Sequence, residues 1–114
     1  CAAADPGALT LEAREAYLSV FAAVMTRERL DGLAFPQLRA EPPSVVSGAP
    51  LAETSVCEIN IAGLPGVTVP AGSYASGAPF GLIFIGSMWS EAELLSFAFA
   101  YESATQHRRS PVLT

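Results

Sequence analysis

The sequence predicts an α/β fold with a helix near each end and short strands between them. Apolar residues recur at helical spacing at both ends of the chain, and an apolar run interrupted only by Gly81, Phe80 to Ile85, has the length of a strand. The 114 residues match the commonest size of one domain. Hydrophobic residues make up 51% and charged residues only 15% of the chain, which excludes intrinsic disorder.

Charge and residue counts exclude several functions. The net charge is -5, from six Arg, no Lys and eleven acidic residues, which argues against a nucleic-acid-binding surface. A single His and two Cys are too few for a His-rich metal centre or a disulfide scaffold, so we expect no metal and no cofactor. No apolar run approaches the roughly 18 residues of a membrane span. With so few charges, the chain is expected to bury one apolar face against another protein surface.

The first predicted helix follows a flexible lead-in, residues 1–9, which is rich in small and turn-forming residues. Thr10 suits the N-cap of this helix, and Gly32 suits its C-terminal end. Its apolar stripe repeats every three or four residues and comprises Tyr17, Phe21, Val24 and Met25. Leu33 to Phe35 then predicts a short strand that ends at Pro36.

Proline and glycine dominate the middle of the chain. Residues 37–50 show no periodicity and predict an ordered but irregular loop, of the kind that proteins usually keep for function. Residues 51–61 suit a short helix, with Ala52 and Glu53 in its first turn. This helix is expected to end before Pro65, because the residue preceding a proline disfavours the helical conformation.

Two strands are predicted next. The first, Gly66 to Val69, lies between Pro65 and Pro70, each of which interrupts strand pairing. A connection rich in Gly, Ser and Pro, residues 71–79, leads to the second strand, Phe80 to Ile85. This strand is apolar at every position except Gly81, so we expect it to be covered on both faces.

The last helix has the clearest sequence signals. Ser90 and Glu93 form a capping-box pattern, and Trp89 and Leu94 occupy the flanking staple positions. Its apolar residues cover much of the circumference and are Leu94, Leu95, Phe97, Ala98, Phe99 and Tyr101. Such a helix is normally buried on two sides. The basic run His107 to Arg109 is expected to complete its C-terminal end.

Several segments resemble a known family. Residues 60–72 read NIAGLPGVTVPAG, residues 77–82 read GAPFGL, and residues 85–86 read IG. The last helix continues the pattern with SEAELL at residues 90–95 and YESAT at residues 101–105. Together with the order of the elements, these segments resemble the C-terminal region of the amidase-signature family over roughly residues 10–111.

The resemblance implies the C-terminal portion of an α/β/α fold with a mixed sheet, and it makes residues 10–114 the C-terminal part of an amidase domain. It also implies hydrolysis of carboxylic amides, or transfer of their nitrogen, by a Ser nucleophile, a second Ser in a cis peptide and a Lys on an upstream Gly/Ser-rich stretch. This chain has no Lys and no such stretch, so no catalytic residue is carried over and the isolated chain is expected to be inert. His107, the one imidazole, is expected to be a surface residue.

Candidate substrate-binding residues lie in the loop after the first strand. The corresponding segment of the family helps to wall the acyl pocket, so the resemblance implies that Gln37, Leu38 and Arg39 line a substrate channel. The implied partners are the remainder of an amidase chain or a second copy of this chain. A small amide would be bound only by the complete enzyme, for which we expect a cytoplasmic location.

Other functions stay open. One is a stand-alone, non-catalytic binding or assembly module derived from the amidase fold. Another rests on Cys1, which as an N-terminal residue can act as a nucleophile with its own α-amine as base, or can carry a lipid. Cys57 is expected to be a small buried residue, and at most one disulfide can form.

Overall fold

A computed structural model describes residues 11–51, 54–55 and 57–110, with the side chains of residues 57 and 58 left out. The elements are α1 (Leu11–Glu28), β1 (Leu33–Pro36), a short 3₁₀ turn (Val45–Ser47), α2 (Cys57–Ala62), β2 (Gly66–Ser73), β3 (Pro79–Ile85) and α3 (Glu91–Thr105). The predicted order of helix, strand, loop, helix, two strands and helix is confirmed. The lead-in, the Thr10 cap, Cys1, Ala52, Glu53 and the Cys57 side chain lie outside the described residues. The predicted start of the second helix at Leu51 was wrong: Thr54 pairs with Leu38 in a β-bridge, and α2 begins at Cys57.

The three strands form one antiparallel sheet in the order β1-β3-β2. The apolar run of β3 therefore lies in the centre, where Ile85 pairs with Leu33 on one side and with Gly66 on the other. Proline is tolerated in both outer strands, because an edge strand need not donate every backbone N–H to a neighbour. The predicted end of the second strand at Pro70 was wrong: β2 continues to Ser73, past an irregularity between Pro70 and Gly72.

Helices cover both faces of this sheet. Side chains of a strand alternate between faces, so Ile83 and Ile85 point to one side and Phe84 to the other. The first side packs against α1 and α2 in a core made of Ile59, Ala62, Leu64, Ile83 and Ile85, with Leu18, Phe21, Leu33 and Phe35 against it. On the second side, the Phe84 ring lies 6.0 Å from the ring of Tyr101 on α3. The result is a three-layer α/β/α arrangement, which confirms the predicted α/β class.

Left-handed residues end the first two helices. After α1, Arg29 has φ 54°, and Leu30 N donates to Met25 O at 2.9 Å. After α2, Gly63 has φ 72°, and Leu64 N donates to Ile59 O at 3.2 Å. Both ends follow the Schellman pattern, in which the bond spans six residues. The first helix therefore ends before the predicted Gly32, and the turn at Gly63 uses the conformation that glycine adopts most easily.

The start of α3 differs from the capping box that the sequence predicts. Trp89 takes a left-handed φ of 69°, which leaves Ser90 at φ -95° and ψ 22° instead of the extended conformation of a usual N-cap. The Ser90 hydroxyl donates to Ser87 O at 2.8 Å and makes no capping bond to the helix. Trp89 is 85% exposed while Leu94 is fully buried, so the predicted staple was also wrong.

The other end of α3 also differs from the sequence expectation. The helix ends at Thr105, and Gln106 takes a left-handed φ of 49° with its N–H donating to Glu102 O at 2.9 Å. The basic run His107 to Arg109 therefore lies beyond the helix and does not complete its last turn. Among the described residues, no helix is long and apolar enough to cross a membrane.

Candidate functional site

The residues predicted to bind substrate follow β1 directly. Gln37 N donates to Gly81 O at 3.0 Å, which extends the pairing with β3 by one residue. Ser55 N donates to Gln37 O at 3.1 Å, and Leu38 pairs with Thr54 in an isolated antiparallel bridge. The start of the loop is thus held between the central strand and the segment that leads to α2.

Gln37 and Leu38 line one cleft, which we call the Gln37 cleft. Its volume is about 340 Å³, and its other walls are Thr68, Val69, Pro70, Tyr74, Pro79, Phe80 and Gly81. Gly81 leaves room for the Gln37 side chain: a Cβ at Gly81 would lie 3.2 Å from Gln37 Oε1 and 3.0 Å from Thr68 Cγ2. The cleft therefore combines apolar walls with one carboxamide, a composition suited to a small organic group.

Arg39 lines a different cleft. This Arg39 cleft also measures about 340 Å³ and is lined by Tyr17, Phe21, Leu33, Phe35, Thr54, Ser55, Ile59 and Ile85 besides Arg39. Its aromatic and aliphatic walls belong to the sheet face that carries α1 and α2. The structure thus brings Gln37 and Leu38 together and separates Arg39 from them.

The tip of the β2–β3 hairpin holds the loop that follows Arg39. The Tyr74 hydroxyl donates to Ala40 O at 3.2 Å, and the Ser76 hydroxyl bonds the Glu41 carboxylate. The Tyr74 ring packs edge-on against Phe80 at 5.8 Å. Tyr74 therefore forms part of the Gln37 cleft and also fixes the loop beside it. Sequence patterns do not single out Tyr74, because the partner of its hydroxyl, Ala40, is 34 positions away in the sequence.

Chemically, the Gln37 cleft offers a hydrogen-bonding amide and apolar surface. Among the described residues, no three His, Cys, Asp or Glu side chains come together in a group that could hold a metal ion. His107 does not line this cleft: it follows the end of α3, where its ring is 6.4 Å from that of Tyr101.

Comparison with known proteins supports the assignment suggested by the fold. No family profile matches the chain. It is 56% identical over 46 residues to the A subunit of glutamyl-tRNA(Gln) amidotransferase from Roseobacter denitrificans, a match that covers 40% of this chain and 9% of the relative. It is 42% identical over 64 residues to the corresponding protein of Synechococcus elongatus, covering 55% of this chain and 13% of the relative.

A solved structure matches over almost the whole chain. The native peptide amidase of Stenotrophomonas maltophilia superposes with a TM-score of 0.72 and 32% identity, over 98% of this chain and 23% of the amidase. The three-layer fold and these matches indicate the class of amidase-signature α/β proteins. They support a C-terminal fragment of such a protein. It spans less than a quarter of the length of the proteins that it matches.

Proposed function

We propose that this chain is the C-terminal part of an enzyme that hydrolyses carboxylic amide bonds, and that it completes the fold of a larger amidase domain. The observation that carries the proposal is the coverage of the peptide amidase, which matches 98% of this chain with only 23% of its own length. In this account, residues 10–114 contribute structure and part of the acyl pocket. The nucleophile and its base come from the upstream portion of the domain.

An exposed apolar surface supports this proposal. On the outer side of α3, Leu95 is 58% and Phe99 74% exposed, and Trp89 just before the helix is 85% exposed. The sequence predicts a helix buried on two sides, yet in the described chain only the side with Leu94 and Ala98 is buried. We call Trp89, Leu95 and Phe99 the α3 apolar surface. Its occupant in the proposal is the upstream portion of the amidase domain, because that portion makes up most of the matched enzyme.

The backbone conformation of Trp89 also supports docking of the α3 apolar surface against the upstream portion. A left-handed φ of 69° in a bulky residue is uncommon and costs of order 1 kcal/mol. Burial of the indole does not offset this cost within the described residues, since the side chain is 85% exposed. Docking against the rest of the domain would bury the indole and stabilise this conformation.

The Gln37 cleft is proposed to form one wall of the acyl pocket. Gln37 would donate or accept a hydrogen bond at the polar end of the substrate, while Leu38, Val69 and Phe80 would contact its apolar part. Arg39, which lines a separate cleft, is proposed to contact a second region of the substrate channel. The expected cytoplasmic location stays a prediction, which cell fractionation tests.

A chimeric enzyme tests the proposed function. Residues 11–110 replace the matching C-terminal segment of the peptide amidase, and release of ammonia from a peptide amide is measured. We expect the chimera to be active and the truncated amidase to be inactive. The variant L95A/F99A should lower the stability and activity of the chimera, whereas E93A/S96A, on exposed polar positions that point away from Leu95 in the same helix, should not. An unfolded or inactive chimera, or equal effects of the two variants, would contradict the proposal.

The α3 apolar surface also supports the alternative of a stand-alone assembly module, in which a second copy covers it. A stable dimer of the isolated chain that L95A/F99A converts to a monomer, together with an inactive chimera, would favour this alternative.

A further inference from the structure

The largest of the three clefts lies between the β2–β3 hairpin and the chain that leaves α3. Its volume is about 670 Å³. The hairpin side includes Ser73 and Tyr74, and the other side consists of His107, Arg108, Arg109 and Ser110. We call it the Arg108–Arg109 cleft. It exists because α3 ends at Thr105, so that the basic run crosses the hairpin instead of continuing the helix.

This cleft concentrates positive charge in an acidic chain. Two of the six Arg and the only His line it, although the net charge of the chain is -5. None of its lining residues is an Asp or a Glu. Within the described part of the chain, Arg108 and Arg109 form no ion pair, whereas Arg27 is paired with Glu28. Among these residues, no carboxylate competes with an anion for the two guanidinium groups.

We propose that the Arg108–Arg109 cleft binds the phosphate group of a small phosphorylated molecule. A guanidinium presents its N–H donors in a fork that matches the oxygens of phosphate or carboxylate in pairs. One carboxylate has a single charge and two oxygens, enough for one Arg. A phosphate monoester is close to a dianion at neutral pH and has three terminal oxygens, enough for both Arg108 and Arg109. The hydroxyls of Ser73 and Ser110, which line the same cleft, add donors of the right kind.

The cleft has room for an organic group attached to the phosphate. Its volume of about 670 Å³ falls in the range of small-molecule sites. The Tyr74 side chain and two prolines, Pro70 and Pro79, supply apolar wall on the hairpin side. The Tyr74 hydroxyl already donates to Ala40 O, so its ring is held in place and its oxygen is not the main phosphate donor. The proposal does not depend on amide hydrolysis.

Titration of the 114-residue chain with inorganic pyrophosphate tests the proposal, by isothermal calorimetry and by chemical shifts of residues 107–110. We expect saturable binding that R108A/R109A weakens by about tenfold or more, because paired charge-assisted hydrogen bonds are lost. R108K/R109K keeps both charges but loses the paired geometry, and should give an intermediate affinity. The matched control is R27A/R29N, which removes two charges elsewhere; Asn replaces Arg29 because that residue has a left-handed φ of 54°. Circular dichroism confirms that each variant keeps its helices.

Three results would overturn the proposal. The first is absence of saturation at about 20 mM pyrophosphate, well beyond weak specific binding. The second is an equal loss of pyrophosphate affinity in R108A/R109A and in R27A/R29N, which would mean that only the net charge of the chain matters. The third is equal or tighter binding of tricarballylate, which would assign the cleft to carboxylates. An inactive amidase chimera would leave this proposal intact, so the two proposals fail separately.

Discussion

Two adjacent leucines of α3 offer the sharpest test of how the helix packs. Leu94 is fully buried and Leu95 is 58% exposed, although they share residue type, helix and sequence neighbours. Leu94→Ala should therefore destabilise the isolated chain far more than Leu95→Ala. The pair controls for helix propensity, because each variant places the same Ala one position apart in the same helix.

The expected magnitude follows from the surroundings of Leu94. Burial of a leucine contributes about 1.5–3 kcal/mol, and its truncation to Ala costs about 2–5 kcal/mol once the cavity is included. The neighbours of Leu94 include Gly86 and Gly32, where a Cβ would lie 3.2 Å and 3.7 Å from Leu94 Cδ2. Glycines have no side chains that could move into the cavity, so we expect about 3–4 kcal/mol for Leu94→Ala. For Leu95→Ala we expect about 1 kcal/mol or less.

Urea denaturation followed by far-UV circular dichroism measures both variants. A loss of about 3 kcal/mol corresponds to a drop in Tm of roughly 12–24 °C for a domain of this size. In the amidase chimera, by contrast, Leu95→Ala should become more costly, because its side chain would then be buried. Equal costs in the isolated chain, or a larger cost for Leu95→Ala, would show that α3 presents a different face to the sheet and would refute the packing described above.

Four further predictions concern the start of α3, catalysis and self-association. Ser90→Ala should lower the free energy of unfolding by about 0.5 kcal/mol, less than the roughly 1 kcal/mol of a lost helix cap, because the hydroxyl bonds only Ser87 O. A loss of about 2 kcal/mol would instead support the capping box. Gly86→Ala should lower the free energy of unfolding by about 1–3 kcal/mol, and by clearly less when Ser90 is also replaced by Ala, because the new Cβ would collide with Ser90 Oγ. Strictly additive effects of the two substitutions would argue against that contact. The purified chain should not hydrolyse benzamide; turnover that survives Cys1→Ala would disprove inertness, and turnover that Cys1→Ala abolishes would favour the N-terminal-nucleophile alternative. Light scattering at micromolar concentration should detect self-association burying about 1,600 Å² in the absence of the upstream portion, and a monomer that binds no hydrophobic dye would mean that the chain covers its own core.

The class and order of the elements could be predicted from the sequence because these depend on local periodicity. Leu94 and Ala98 are spaced four residues apart and are buried as expected, and the apolar run of β3 occupies the centre of the sheet. The capping box failed for a reason that local rules do not include. A left-handed Trp89 rotates the entry of the helix, so that the Ser90 hydroxyl faces the preceding turn.

The clefts are less predictable, because each is assembled from distant parts of the chain. Gln37 is singled out by the resemblance alone, and its cleft depends on the register that places Gly81 and Thr68 beside it. Arg39, only two residues later, lies in another cleft. The basic run His107 to Arg109 has the composition typical of the last turn of a helix. It lines a cleft because α3 already ends at Thr105.

Sequencing of the DNA upstream of the Cys1 codon decides whether this chain completes a larger amidase domain. We expect the reading frame to continue upstream into a Gly/Ser-rich stretch with a Lys, which would supply the catalytic residues of the family. A start codon or a lipid-attachment signal directly before the Cys1 codon would instead favour the stand-alone module.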